Sequence, residues 1–222
     1  MSRIYVPTTN AEQWAQFLAD PDKHWRQGHS ARTLAHSWQE AAGFPSEVAR
    51  ALLPTFPGIE LLLAMPEHKV PLPGGRAPSQ NDIWVLARDQ RDLISIAVEG
   101  KVSEPFGPTI QEWQAASGSG KEQRLAFLLK LIELPSVPGM TRYQLLHRTA
   151  SAIIEAHRFN AAHAVMLVHS FSPTREWFSD YSAFVALLGG NATPGSLVSL
   201  GPRSGVSLHM AWVCGDATYL SR

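Results

Sequence analysis

The sequence predicts an α/β fold in which a mixed central sheet is flanked by helices. Three observations lead there. Segments with helical periodicity alternate with short apolar runs bounded by Gly and Pro. Two of those runs are joined by a short polar turn, as in a hairpin. The resulting order is helix, three strands, two helices, strand, helix, strand, which layers helices against a sheet. At 222 residues the chain suits a single domain, 1–222, with its core at about 30–170 and a C-terminal helix and strand within 174–214.

Composition narrows the function classes. Hydrophobic residues make up 45% and charged residues 17%, which excludes a wholly disordered chain. Lys+Arg and Asp+Glu both number 19, so a binder with a basic surface throughout is excluded and any contact with phosphates must come from a local patch. A lone cysteine, Cys214, rules out a disulfide framework and a cysteine-built zinc site, fits a reducing compartment, and reads as a buried apolar residue. Apolar runs such as 161–168 are too short to span a bilayer, and the N-terminal MSRIYVPTTNAEQW lacks a signal-peptide core. A soluble, cytoplasmic protein with no membrane partner is the expectation.

Taken in order, residues 3–6 read as a short strand. Asn10 caps a helix over 10–18, which Asp20-Pro21-Asp22 ends. Ser30 is placed to cap a helix over 31–42, with Leu34, Ala35 and Trp38 on one stripe and Arg32, His36 and Glu40 on a polar one. After Gly43-Phe44-Pro45, residues 45–53 form a third helix. The run 59–65 is a strand and 66–80 a loop, because PLPGGRAPSQ carries turn chemistry. Residues 82–87 and 93–101 are the two strands of the hairpin. Helices follow over 121–134 and 142–159, then a strand over 161–169, a helix over 174–188 and a strand over 206–214. The Gly/Pro/Ser-rich stretch 189–205 reads as a flexible connection.

The chemistry concentrates on the hairpin. Period two puts Ser95, Ala97, Glu99 and Lys101 on one face of the second strand. Glu99 ends an apolar strand, where an ionised carboxylate is costly unless it meets a cation or a metal. Asp82 opens the first strand, so antiparallel pairing brings it beside Glu99 and Lys101. Two carboxylates and an ammonium at one sheet edge make an oxygen-rich site of the kind Mg²⁺ or Mn²⁺ prefers. Lys101 is placed to orient a water or to stabilise charge developing on a phosphate.

The run Asn81-Asp82, a hairpin, then Glu99-Gly100-Lys101 resembles the PD-(D/E)XK nuclease superfamily, also called restriction endonuclease-like. The phrasing of 67–101 and of YQLLHRTASA at 143–152 is also similar to uncharacterised bacterial proteins grouped with that superfamily as endonucleases. The resemblance implies an α-β-β-β-α-β core. It implies a Mg²⁺- or Mn²⁺-dependent endonuclease that hydrolyses phosphodiester bonds in a nucleic acid, DNA before RNA. Asp82 and Glu99 would hold the metal, Lys101 would be catalytic, and Glu40 on the first core helix would be a further ligand. Gln144 and Arg148, which share a helix face with His147 and Ser151, would contact phosphate or support the ligands. Lys69, Arg76, Lys101 and Arg148 would form the local basic patch. Restriction-type enzymes often dimerise, so a homodimer is a further implication. On this reading Glu99→Ala and Lys101→Ala each abolish cleavage and leave the fold intact.

Other patterns fail on mechanism. AASGSGKE at 115–122 mimics a phosphate-binding loop, yet Ala115 replaces its first glycine, Glu122 its Ser/Thr, and no strand leads into it. His169, Ser170 and Asp180 are triad residue types without a nucleophile elbow. A second acidic-x-Lys, Glu67-His68-Lys69, is not carried on an apolar strand and reads first as a surface ion pair, with participation of its loop in the site as the alternative. Two alternatives stand beside the nuclease: a binding module that keeps the fold with an inert acidic cluster, and a metal-dependent hydrolase of a small phosphorylated molecule.

Overall fold

The computed structural model describes residues 8–116 and 118–222. The strand expected at residues 3–6 lies outside them. The expected first helix is a 3-10 helix, Ala11–Phe17, capped by the side chain of Asn10. Helices α1 (Pro21–His24), α2 (Ser30–Ala41) and α3 (Ser46–Leu52) follow, then strands β1 (Glu60–Val70), β2 (Ser79–Arg88) and β3 (Leu93–Lys101). Next come α4 (Ile110–Ala115), α5 (Lys121–Ile132), α6 (Tyr143–Arg158), β4 (His163–Ser170), α7 (Phe178–Leu187), β5 (Leu197–Arg203) and β6 (Val206–Cys214).

The six strands form one mixed sheet in the order β1-β2-β3-β4-β6-β5. The β1/β2, β2/β3 and β5/β6 pairs are antiparallel, and β3/β4 and β4/β6 are parallel. Each face carries a core, and strand alternation sorts the residues. Ala97, Ala164, Met166, Val168 and Met210 pack with Leu145 and Ile153 of α6. Val98, Val165, Leu167, Ala211 and Val213 pack with Leu34 and Trp38 of α2 and Val48 of α3. Strands apolar on both faces belong in the middle of a sheet covered on both sides, which is where β3 and β4 lie. Trp84 is wholly buried, donates its indole N–H to Ser95 Oγ at 2.9 Å, and stacks on Phe159 with ring centroids 4.9 Å apart.

Several boundaries differ from the sequence reading, each for a local reason. The strand expected at 59–65 runs on through Pro66 to Val70 and shortens the expected loop, because β1 is an outer strand and tolerates a residue without an N–H. The stretch 189–205 contains β5, joined to β6 through Ser204 and Gly205, both at positive φ as a tight two-residue hairpin requires. Helix α7 starts four residues late, since Arg175 and Trp177 adopt left-handed φ. Helix α2 is preceded by His29, and Ser30 is its first residue instead of its cap. The unanticipated α4 is started by a capping box between Thr109 and Glu112. Cys214 ends β6 and is exposed, not buried. Among the described residues no helix is long and apolar enough to cross a membrane.

Replacing Trp84 with Ala removes a fully buried ring and leaves the Ser95 hydroxyl without its donor. The expected cost is about 3–5 kcal/mol, read as a lower urea midpoint at an unchanged denaturant slope; a midpoint equal to that of the parent chain would refute this account of the core.

Candidate functional site

Strands β1, β2 and β3 and helix α6 bring their polar residues to one cleft of about 360 Å³, lined by Glu67, Asp82, Glu99, Lys101, Gln144 and Arg148. The segment from Leu18 to Ala31 forms its other wall, through His24, His29 and Ser30.

The deepest element is an ion cluster around Glu99, which is 2% exposed. Its Oε1 accepts from Lys101 Nζ at 2.8 Å and from Gln144 Nε2 at 2.7 Å, and its Oε2 accepts from Arg148 Nε at 2.6 Å. Lys101 Nζ also donates to Gln144 Oε1 at 3.1 Å and to the Pro105 carbonyl at 3.4 Å, and sits 5.0 Å from the centre of the Phe106 ring. Burial would push the Glu99 carboxyl up, but Lys101 and Arg148 together hold it below the usual carboxylate range. Arg148 is oriented from behind: its Nη1 donates to Ser79 Oγ at 3.1 Å, so the Ser79 hydroxyl proton is directed to His147 Nδ1, 2.7 Å away. Burial, reinforced by Arg148, Arg124 and Lys101, keeps His147 well below the ordinary imidazole value, as an acceptor must be.

The second element is open. Regular β2/β3 pairing reaches only Ile83 and Val98, and beyond it Asp82 Oδ2 accepts the Gly100 N–H at 2.7 Å. Gly100 has little room for a side chain, since a Cβ there would lie 3.1 Å from Leu34 of α2 and 3.3 Å from Asp82 Oδ2. On β1, Glu67 takes a left-handed φ of 52° between the paired residues Pro66 and His68, and Gln80 Nε2 donates to its Oε2 at 2.5 Å. Asp82 Oδ1 and Glu67 Oε1 accept no hydrogen bond among the described residues, and neither is sealed from solvent. Burial raises both carboxyls, with the Glu99 charge adding to the effect. Asp82 lies well above its ordinary value, and Glu67 is raised from 4.5 to about 7. The carboxyls of Glu67, Asp82 and Glu99 face two cations, Lys101 and Arg148, so all three cannot be ionised together without a further positive charge.

The structure therefore gathers Asp82, Glu99, Lys101, Gln144 and Arg148 as the hairpin geometry predicts. It does not bring Glu40 to them. Glu40 is ten residues beyond Ser30, roughly 15 Å along the axis of α2, and lines a separate hollow with Glu47 and Tyr219. The basic patch does not assemble as expected either, because Lys101 and Arg148 are buried at 3% and 6% exposure and spend their charge on Glu99. Glu67, expected in a surface ion pair, is instead the third carboxylate of the cleft; the sequence signal for it was the acidic-x-Lys triplet, obscured by Pro66 just before it. Among the described residues no group of three or more His, Cys, Asp or Glu side chains is placed to hold a metal ion unaided.

A family model described as a domain of unknown function (DUF6946) matches residues 7–217. The chain belongs to that family. No curated protein and no solved structure matches it. In this DUF6946 domain Glu67, Asp82, Glu99, Lys101, Gln144 and Arg148 come from β1, β2, β3 and α6, all within the matched span.

Two predictions follow from the electrostatics. Between pH 4.5 and about 7 the folded state keeps a proton on Glu67 that the unfolded chain releases. The stability this carboxyl contributes is thus full at the acid end of the window and lost as pH rises through about 7. Asp82 acts with the same sign. Neutral His147 and His169 act oppositely below pH 6.5, so the test is a difference between variants. With EDTA present, Glu67→Gln should gain melting temperature over the parent on going from pH 5 to pH 8, by roughly 2–4 °C per kcal/mol; parallel curves would contradict the raised carboxyl. The second concerns Glu99→Ala, which strands two buried cations and should cost about 3–5 kcal/mol in chemical denaturation. That corrects the expectation that this substitution spares the fold; Glu99→Gln, which keeps an acceptor, should cost less.

Proposed function

We propose that the cleft is a divalent-cation site for hydrolysing a phosphodiester, with DNA the first substrate to test. The observation that carries this reading is the pair of open carboxylates, Asp82 Oδ1 and Glu67 Oε1, beside a buried lysine in a cleft where the three carboxyls face two cations. Mg²⁺ commonly needs only one or two protein carboxylates, completing its shell with waters and substrate phosphate oxygens. Asp82 and Glu67 would hold the ion, and Glu99 would adjoin it. A bound Mg²⁺ or Mn²⁺ supplies a polarised phosphate oxygen and a more acidic water. The remaining work falls to the chain. Lys101 presents positive charge where the phosphate becomes more negative, Gln144 hydrogen-bonds both Lys101 and Glu99 and so fixes one against the other, and Arg148 helps to keep Glu99 ionised. The three antiparallel strands β1–β3 and the parallel strand β4 that follows α6 support the core that the PD-(D/E)XK resemblance implies, with α4 and α5 additional to it.

A second reading is favoured by a different observation. Both oxygens of Glu99 and the ammonium of Lys101 already meet protein partners, so this half of the site is held largely by the chain itself. That is the arrangement of a structural ion cluster in a domain that binds rather than cuts. The separating experiment is calorimetric titration with Mn²⁺, followed by incubation of plasmid, oligonucleotide and a mononucleotide diester with Mg²⁺ or Mn²⁺. The hydrolase reading expects saturable Mn²⁺ binding and a cleavage rate that Asp82→Asn lowers by roughly two orders of magnitude or more. Cleavage of the diester alone would assign a small phosphorylated substrate. Absence of Mn²⁺ binding, with no cleavage of any of the three, assigns the binding module.

A further inference from the structure

The wall of the cleft that faces the carboxyls carries two imidazoles, His24 at the end of α1 and His29 just before α2. Both residues are exposed, and neither side chain makes a hydrogen bond or an ion pair among the described residues. Packing does not call for them. Helix α1 buries none of its four residues, and the segment is tied down by polar contacts, Trp25 Nε1 donating to Glu12 Oε2 at 2.8 Å and Arg26 Nε to the Asp22 carbonyl at 3.0 Å. Helix formation does not call for them either. His29 occupies the N-cap position of α2, where Ser, Thr, Asp or Asn is preferred, yet its side chain makes no capping bond.

The opposite wall leaves a donor wanting. Lys101 and Arg148, the other cations of the lining, are buried and turned to Glu99. Glu104 adds a fourth carboxyl to the lining, its Oε2 taken by the N–H groups of Val102 and Ser103 at 3.3 and 3.0 Å. A phosphate entering here reaches carboxyl oxygens that a divalent ion can bridge to it on one side. Its remaining oxygens point elsewhere and need N–H or O–H partners. Among the described residues, His24 and His29 are the ionisable lining groups that can donate and are not already engaged. An imidazole donates one N–H when neutral and two when protonated.

We propose that His24 and His29 bind the phosphate of the substrate from the wall opposite Asp82 and Glu67, clamping a phosphate-bearing unit between the two sides of the cleft. The two imidazoles donate to the phosphate oxygens that the metal ion leaves free. The cleft holds about 360 Å³, near the low end for a small-molecule site, which sets the clamped unit at about one nucleotide. The clamp rests on the divalent-cation reading for the ion, and on the lining of the cleft alone for the imidazoles.

Histidine-ring NMR of the full chain, titrated with thymidine 5′-monophosphate first with Mg²⁺ and then with EDTA, tests it; His24→Gln and His29→Gln assign the two signals. With Mg²⁺ both ring signals should move saturably, while that of His157, bonded to the Ser204 carbonyl at the far end of α6, stays in place. Each variant should weaken the nucleotide by roughly tenfold, the scale of a charge-assisted hydrogen bond. Each should also keep the parent melting temperature, because its ring is exposed and bonds nothing, and leave the Mn²⁺ titration of the cleft as it was. Nucleotide binding that leaves both ring signals in place, or an affinity unmoved in both variants, would overturn the proposal. Mn²⁺ binding without saturable nucleotide binding refutes the clamp alone. Ring signals that move in EDTA as well, in a chain that takes up no Mn²⁺, refute the divalent-cation reading and support the imidazoles as phosphate ligands.

Discussion

The buried carboxylate of Glu99 is the constraint around which the rest of the site is arranged. A charge in the middle of a sheet is tolerable only when paired and hydrogen-bonded, and this one takes its partners from its own strand and from α6. Helix α6 is thereby locked in rotation against β3, since turning it would draw Gln144 and Arg148 off the carboxylate together. The same lock reaches β2 through Ser79, whose hydroxyl accepts from Arg148 and is hydrogen-bonded to His147. Net stabilisation by such a cluster over an apolar equivalent is small or absent. Its effect is on geometry, because few other placements of these elements satisfy every donor at once.

That lock divides the site into two unequal parts. The Glu99 carboxyl is paired through both oxygens and held low in pKa, whereas Asp82 and Glu67 each keep an oxygen without a protein donor and are raised in pKa, and the two share a single cleft. Rigid charge behind, available oxygen in front, is a division suited to a site that must keep its shape while a charged group comes and goes. The open half exists because the backbone is irregular there. Asp82 lies past the last regular β2/β3 pair, and Glu67 departs from strand geometry altogether.

Much of this could be read from the sequence where the signal was local and periodic. Strand β3 and strand β6 have the bounds that their apolar runs suggest, and the hairpin spacing alone places Asp82 against Glu99 and Lys101. Helical spacing on α6 puts Gln144 and Arg148 on one face, and the structure turns that face to Glu99. The misreadings have tertiary causes. Glu67 was hidden because a proline makes a strand look like a loop, and only an outer position in the sheet excuses the proline. Glu40 was misplaced because the resemblance asks only for an acidic residue on the first core helix, and which end of α2 meets the cleft is set by tertiary packing. The burial of Lys101 and Arg148, which removes them from any basic patch, depends on Phe106 and α6 closing over them, and that closure is invisible to charge counting.

The two outermost strands of the described sheet share a property with a consequence for association. Each carries a proline, Pro66 in β1 and Pro202 in β5, next to an interruption: the left-handed backbone of Glu67 in one and a shifted register between Ser199 and Pro202 in the other. A missing donor beside a kink denies a neighbouring molecule the even ladder it would need to zip onto that rim. Growth of the sheet from chain to chain is thus disfavoured on both flanks.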